Sequence, residues 1–139
     1  MDDRLLIEEL LTGLDLGRRR PAVYTTTYWY YRACRAAVAG AGGHLSGPFD
    51  QLAVAEQERA ILSLLELRAD IGLPDPRETV PLMAELSRRH PKLNLLNLEA
   101  AAAASLLGAV VWLSPPAAEG VLPGVLDREG LHRRTVAVT

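Results

Sequence analysis

Short β-favouring runs alternate with amphipathic helical stretches along the whole chain, and this alternation constrains the fold more than any other feature. A strand followed by a helix and then another strand returns parallel to the first, so the expectation is an α/β fold with a mainly parallel sheet and helices on its faces. Asp3 to Leu11 sets Leu5, Leu6, Glu9 and Leu10 at helical spacings, with Gly13 beyond the end. A basic loop, Arg18, Arg19 and Arg20 with Pro21, leads to a strand over 22–26. From Thr27 to Gly40 the pattern is helical, with Trp29, Ala33, Ala36 and Ala37 on one face. Asp50 is expected to cap a helix reaching about Leu67, with Leu52, Ala55, Ile61, Leu62 and Leu65 as its apolar stripe.

A second strand is expected over 67–73, ending at Pro74. Because proline belongs in a helix's first turn, Pro81 favours Thr79 as the N-cap of the helix to Arg89, with Asp75 and Glu78 as a competing capping box. Asn94 caps a helix over 95–107 that ends at Gly108, and an apolar strand follows over 109–113 until Pro115 and Pro116 stop it. A short helix over 120–129 and a last strand over 135–138 complete the pattern.

The chain has 139 residues, which suits one domain around one core. Its formal net charge of −2 excludes a global positive field that would draw it onto nucleic acid. Any such contact must be local: Arg18 to Arg20, Arg32 with Arg35, or Arg88 and Arg89 with His90, each read first as a solvated face or helix terminus. A single cysteine excludes an internal disulfide framework, and Cys34, set among alanines, reads as a buried small hydrophobe. The start carries no basic segment followed by an apolar run, and the longest apolar stretch, 100–113, is broken by Ser105 and Gly108. A cytoplasmic protein without membrane contact is the expectation. His44, His90 and His132 lack metal-ligand spacing and read as surface residues, and the glycine patterns of nucleotide sites are absent.

Four segments, DDRLLIEELLTG, VYTTTYWYYRACRA, LNLLNLEAAAAASLLGA and VVWLS, occur in an order that resembles the PIN domain. That nuclease fold is typified by the toxins of bacterial toxin–antitoxin pairs. The resemblance spans nearly the whole chain and implies a three-layer α/β/α sandwich, with carboxylates holding Mg²⁺ or Mn²⁺ to activate water against RNA. Carried over residue by residue, the first acid corresponds to Asp2, with Asp3 beside it. The second falls on Arg32, the third on Asn97, and the fourth on Pro115 or Pro116. Glu99 is the nearby acid to weigh as a replacement for Asn97, but two residues along a helix turn a side chain by roughly 200°, so the two cannot share a face. Asn97 also has a plainer reading, satisfying backbone groups in the helix's first turn. The resemblance further implies an apolar strand ahead of the first aspartate, where this sequence has only Met1. The expectation is a start lying upstream, or a segment from elsewhere in that place.

Tyr24, Tyr28, Trp29, Tyr30 and Tyr31 lie within eight positions. Residues 28–31 encircle one helical turn, so they cannot all face one core, and Tyr30 and Tyr31 with Arg32 and Arg35 are the candidate partner-binding residues. Three functions remain open. The first is a catalytically degenerate PIN-like binding or regulatory module, homodimeric, with a protein or nucleic-acid partner and no cofactor. The second is a toxin-type endoribonuclease using Mg²⁺ or Mn²⁺ at a rearranged site of Asp2, Asp3 and Glu99. The third is an antitoxin-like or structural subunit.

Overall fold

Asp2 opens the first helix: its backbone is extended and its carboxylate accepts the Leu5 N–H, so the chain turns into α1 (Asp3–Leu11) at once. The computed structural model describes residues 1–17, 21–39 and 53–137, and continues with β1 (Val23–Tyr24), α2 (Thr27–Val38), α3 (Val54–Leu65) and β2 (Ile71–Gly72). Then come α4 (Pro76–Arg89), α5 (Leu95–Leu107), β3 (Val111–Leu113), α6 (Pro115–Ala118), α7 (Leu122–Arg128) and β4 (Arg133–Thr135). Arg18 to Arg20, His44, Leu52, the expected cap Asp50 and Val138 lie outside the described residues.

Strand pairing is parallel, as the alternation implies, but it forms two separate ladders in place of one continuous sheet. β1 pairs with β2 through Val23↔Ile71 and Tyr24↔Gly72, and β3 pairs with β4 from Val111↔Arg133 to Leu113↔Thr135. Gly72 leaves room for the Tyr24 ring, into which a Cβ at that position would project. Among the described residues, Met1 and Asp2 bridge the ladders: the Met1 amino group donates to Tyr24 O at 2.8 Å and the Asp2 N–H to Trp112 O at 3.2 Å.

Among the described residues, buried apolar side chains group into two clusters that share helix α2. One unites Leu98, Ala100, Ala101, Ala102 and Ala104 of α5 with Leu86, Val111, Leu113, Val125 and Leu126. The other unites Leu6 and Ile7 of α1 with Val23, Ala60, Leu64 and Ile71. Helix α2 serves both, Trp29 entering the first and Ala33, Ala36 and Ala37 the second. Alanine at those positions brings the α2 backbone close to its neighbours, which is why Trp29 is the one large side chain it buries.

Four sequence expectations shift. The strands over 67–73 and 135–138 shrink to Ile71–Gly72 and move to Arg133–Thr135. Helix α4 starts at Pro76 with Asp75 as its cap, accepting the Arg77 N–H at 2.9 Å, so Pro81 lies inside the helix. Pro81 and Arg77 are both exposed, so the Arg77 carbonyl that loses its usual donor can turn to water. In α3 the buried residues among those described are Ala60 and Leu64, with Ile61 packed beside them, whereas Ala55, Leu62 and Leu65 of the expected stripe are exposed. Pro115 and Pro116 end β3 as expected, then open the single turn α6, where a missing N–H at the first position leaves nothing unpaired. Asn94 and Gly108 bound α5 as read from sequence, Gly108 adopting the left-handed conformation (φ 58°).

Candidate functional site

The N-terminus of α1 meets the C-terminal end of β3 at Asp2. Its side chain is fully buried: Oδ1 accepts the Leu5 N–H at 3.0 Å, and Oδ2 accepts both the Ser114 N–H at 2.7 Å and the Ser114 hydroxyl at 2.6 Å. Both oxygens of this buried carboxylate are therefore hydrogen-bonded. Ser114, itself buried, was not among the residues singled out from sequence. Its one local signal is its place ahead of two prolines, a position that suits a helix cap.

Asp3 turns the other way. It lies in the first turn of α1, and Arg32 of α2 approaches with Nε 3.2 Å from its Oδ2. The Asp3 side chain is only 6% exposed and that of Arg32 32%, so the pair closes the inner wall of a small cavity rather than standing on open surface. Asn97 and Pro116 line the same cavity of about 190 Å³, together with Arg4, Trp29 and Ser114. Asn97 donates its backbone N–H to Asn94 Oδ1 at 2.9 Å, as expected for a first-turn residue, and lines the cavity.

Glu99 points elsewhere. It is buried on α5, and its two oxygens accept the N–H groups of Thr27 at 3.1 Å and Tyr28 at 2.9 Å. With Thr26 Oγ1 accepting the Trp29 N–H at 3.2 Å, three of the four unpaired donors at the start of α2 are satisfied. A carboxylate on a helix N-terminus also meets the positive end of the helix dipole. Asn97 and Glu99 therefore serve different neighbours, as their two-residue separation on a helix requires.

The sequence-derived residues thus divide. Asp3, Arg32, Asn97 and Pro116, next to Pro115, surround one cavity; Asp2 sits behind its wall through Ser114; Glu99 is turned to α2. The residues present do not fit a divalent ion there. Asp2 is held by three donors, Asp3 faces a guanidinium, and Glu99 caps a helix. Among the described residues no three His, Cys, Asp or Glu side chains are placed to hold a metal. A guanidinium about 8 Å from a divalent ion would itself oppose binding by about 4 kcal/mol at an effective dielectric of ~20.

The partner-binding candidates on α2 also separate. Tyr30 is used internally: its hydroxyl donates to Leu64 O at 2.8 Å and to Leu65 O at 3.1 Å, closing the end of α3, and burial pushes its phenol pKa up. Tyr31 is 59% exposed, with Arg35 stacked over its ring at 5.8 Å. Cys34 is half-buried rather than buried as expected, its Sγ 3.8 Å from Leu64 O, and burial likewise raises its thiol pKa. His90 corrects the expectation of a surface residue: its side chain is 10% exposed and Nε2 lies 2.8 Å from Glu129 Oε1, where Arg89 also binds. No helix among the described residues is long and apolar enough to cross a membrane. No family model, curated protein or solved structure matches the chain.

Proposed function

We propose that the chain is a catalytically degenerate PIN-like domain, with that family's three-layer arrangement, that works as a binding or regulatory module in the cytoplasm. The observation that carries this reading is the Arg32–Asp3 pair: a positive side chain stands where the resemblance calls for a second carboxylate, and it engages the acid beside the first. The cavity next to it is lined by two arginines, Arg4 and Arg32, and by Asn97. That is chemistry for holding an anionic group of a protein or nucleic-acid partner, not for gathering a cation. A homodimer is part of the proposal, with exposed Tyr31 and Arg35 at the contact.

The test pairs calorimetric titration with Mn²⁺ and a cleavage assay on structured and single-stranded RNA. Wild type is expected to show neither binding at micromolar metal nor cleavage. The double substitution Arg32→Glu with Asn97→Asp is expected to gain Mn²⁺ affinity, because it returns two acids to the cavity wall. RNA cleavage by wild type that disappears in Asp2→Ala would overturn the module reading in favour of the toxin-type ribonuclease.

A further inference from the structure

The cavity between the first turns of α1 and α5 joins charge to an apolar wall. Its volume of about 190 Å³ lies below the ~300 Å³ at which sites for drug-sized ligands begin, so it takes about one residue of a larger molecule. The charged side chains on its lining are Asp3, Arg4 and Arg32, which sum to one positive charge. Asp3 balances Arg32, with the two at 3.2 Å. Among the described residues Arg4 has no ion pair and the Asn97 side chain no hydrogen bond, although both residues are half-buried. A guanidinium and an amide so placed are donors ready for an acceptor. Both belong to helix first turns, where the positive ends of the α1 and α5 dipoles favour an anion further.

Much of the remaining lining is apolar, with Leu122 and Trp29 buried and Leu96 half-buried, while Gly120 and Val121 are exposed and mark the opening. Charge and size then select among anions. A phosphate monoester would bring up to two negative charges against a net of one, with the Asp3 carboxylate beside it. An internal phosphodiester carries a sugar on either side, too much for a cavity of this volume, and a chain of net charge −2 supplies no field to hold the strand beyond it. An internal aspartate or glutamate brings a carboxylate but no apolar group for Leu96 and Leu122. A C-terminal residue brings both on one Cα.

Resting on the binding-module reading, we propose that this cavity captures the C-terminal residue of a protein partner. Its carboxylate is held by Arg4, Asn97 and Arg32, and its side chain, of valine or leucine size, is set against Leu96 and Leu122.

The probe is N-acetyl-glycyl-leucine, with the same peptide amidated at its C-terminus as control. Titration followed by nitrogen–proton NMR is expected to shift the Trp29 indole and the Asn97 side-chain amide saturably, half-complete at about 1 mM, an affinity suited to one anchored residue. The amidated peptide should bind at least about tenfold more weakly, and Arg4→Gln should weaken binding of the acid to a similar degree. Acid and amide are compared on wild type, so the outcome does not depend on the variant's folding. The proposal is overturned by the absence of a saturable shift up to about 20 mM peptide, by equal binding of the two peptides, or by a folded Arg4→Gln that binds the acid as wild type does. A short single-stranded RNA that shifts the same resonances at lower concentration than the peptide also overturns it. All of these results leave the module reading standing, since that reading falls to Mn²⁺ binding with RNA cleavage.

Discussion

Asp2 is the residue whose replacement separates a structural carboxylate from a metal ligand. In Asp2→Ala, α1 loses its N-cap, worth about 1 kcal/mol. Two buried donors of Ser114, the backbone N–H and the hydroxyl, also lose their acceptor, at about 1–3 kcal/mol each, partly offset because a buried charge disappears. The expected net loss is about 3 kcal/mol. Ser114→Ala removes only the hydroxyl contact and should lose about 1 kcal/mol. In the double variant the hydroxyl stranded by the first change is absent, so its loss should be no greater than that of Asp2→Ala alone, a coupling of about 1 kcal/mol. Urea unfolding of the four proteins measures this, and Mn²⁺ should leave the wild-type midpoint where it is. Strict additivity, or an Asp2→Ala loss under about 0.5 kcal/mol, would show that the carboxylate does not carry these bonds.

Glu99→Gln should destabilise by about 1–2 kcal/mol, because an amide can accept from only one of the Thr27 and Tyr28 N–H groups without opposing its own donor to the other; circular dichroism during denaturant unfolding reads the loss. Arg89 first and His90 second hold the Glu129 carboxyl below the usual carboxylate range. The stability this confers is present above the unfolded-state value and disappears as pH falls through the lower folded-state value, so unfolding midpoints should drop below about pH 4.5, less steeply in Glu129→Gln. Cys34 should react with a disulfide reagent at least about tenfold more slowly in the folded than in the urea-unfolded protein, since burial raises its thiol pKa; equal rates would contradict its packing. Replacing Tyr31 with serine should shift a light-scattering mass from dimer towards monomer, and an unchanged mass would remove that residue from the proposed contact.

What could be read from the sequence alone was local. Asn94 and Gly108 set the ends of α5 because capping depends on side chains within a few residues of the terminus. The buried face of α2 followed from helical spacing, and the parallel direction of the strands from the helices between them. The same local reasoning failed where two signals competed, at Asp75 against Thr79, and where an apolar stripe was wider than the face available to it, at Leu62 and Leu65.

Tertiary structure decided the rest. Ser114 reaches Asp2 across 112 residues, and Glu99 reaches the start of α2 across more than 70, contacts that leave no periodicity in the sequence. The destination of Glu99 depends on how α5 is rotated against α2, which its own residues do not specify. Tyr30 and Tyr31 are adjacent and chemically alike, yet packing of α3 beside α2 gives one an internal hydrogen bond and leaves the other to solvent. The gap between the ladders is of the same kind. Each strand's sequence fixes its tendency to pair, but which edge meets a neighbour and which faces an open groove is settled only when the helices set the strands side by side.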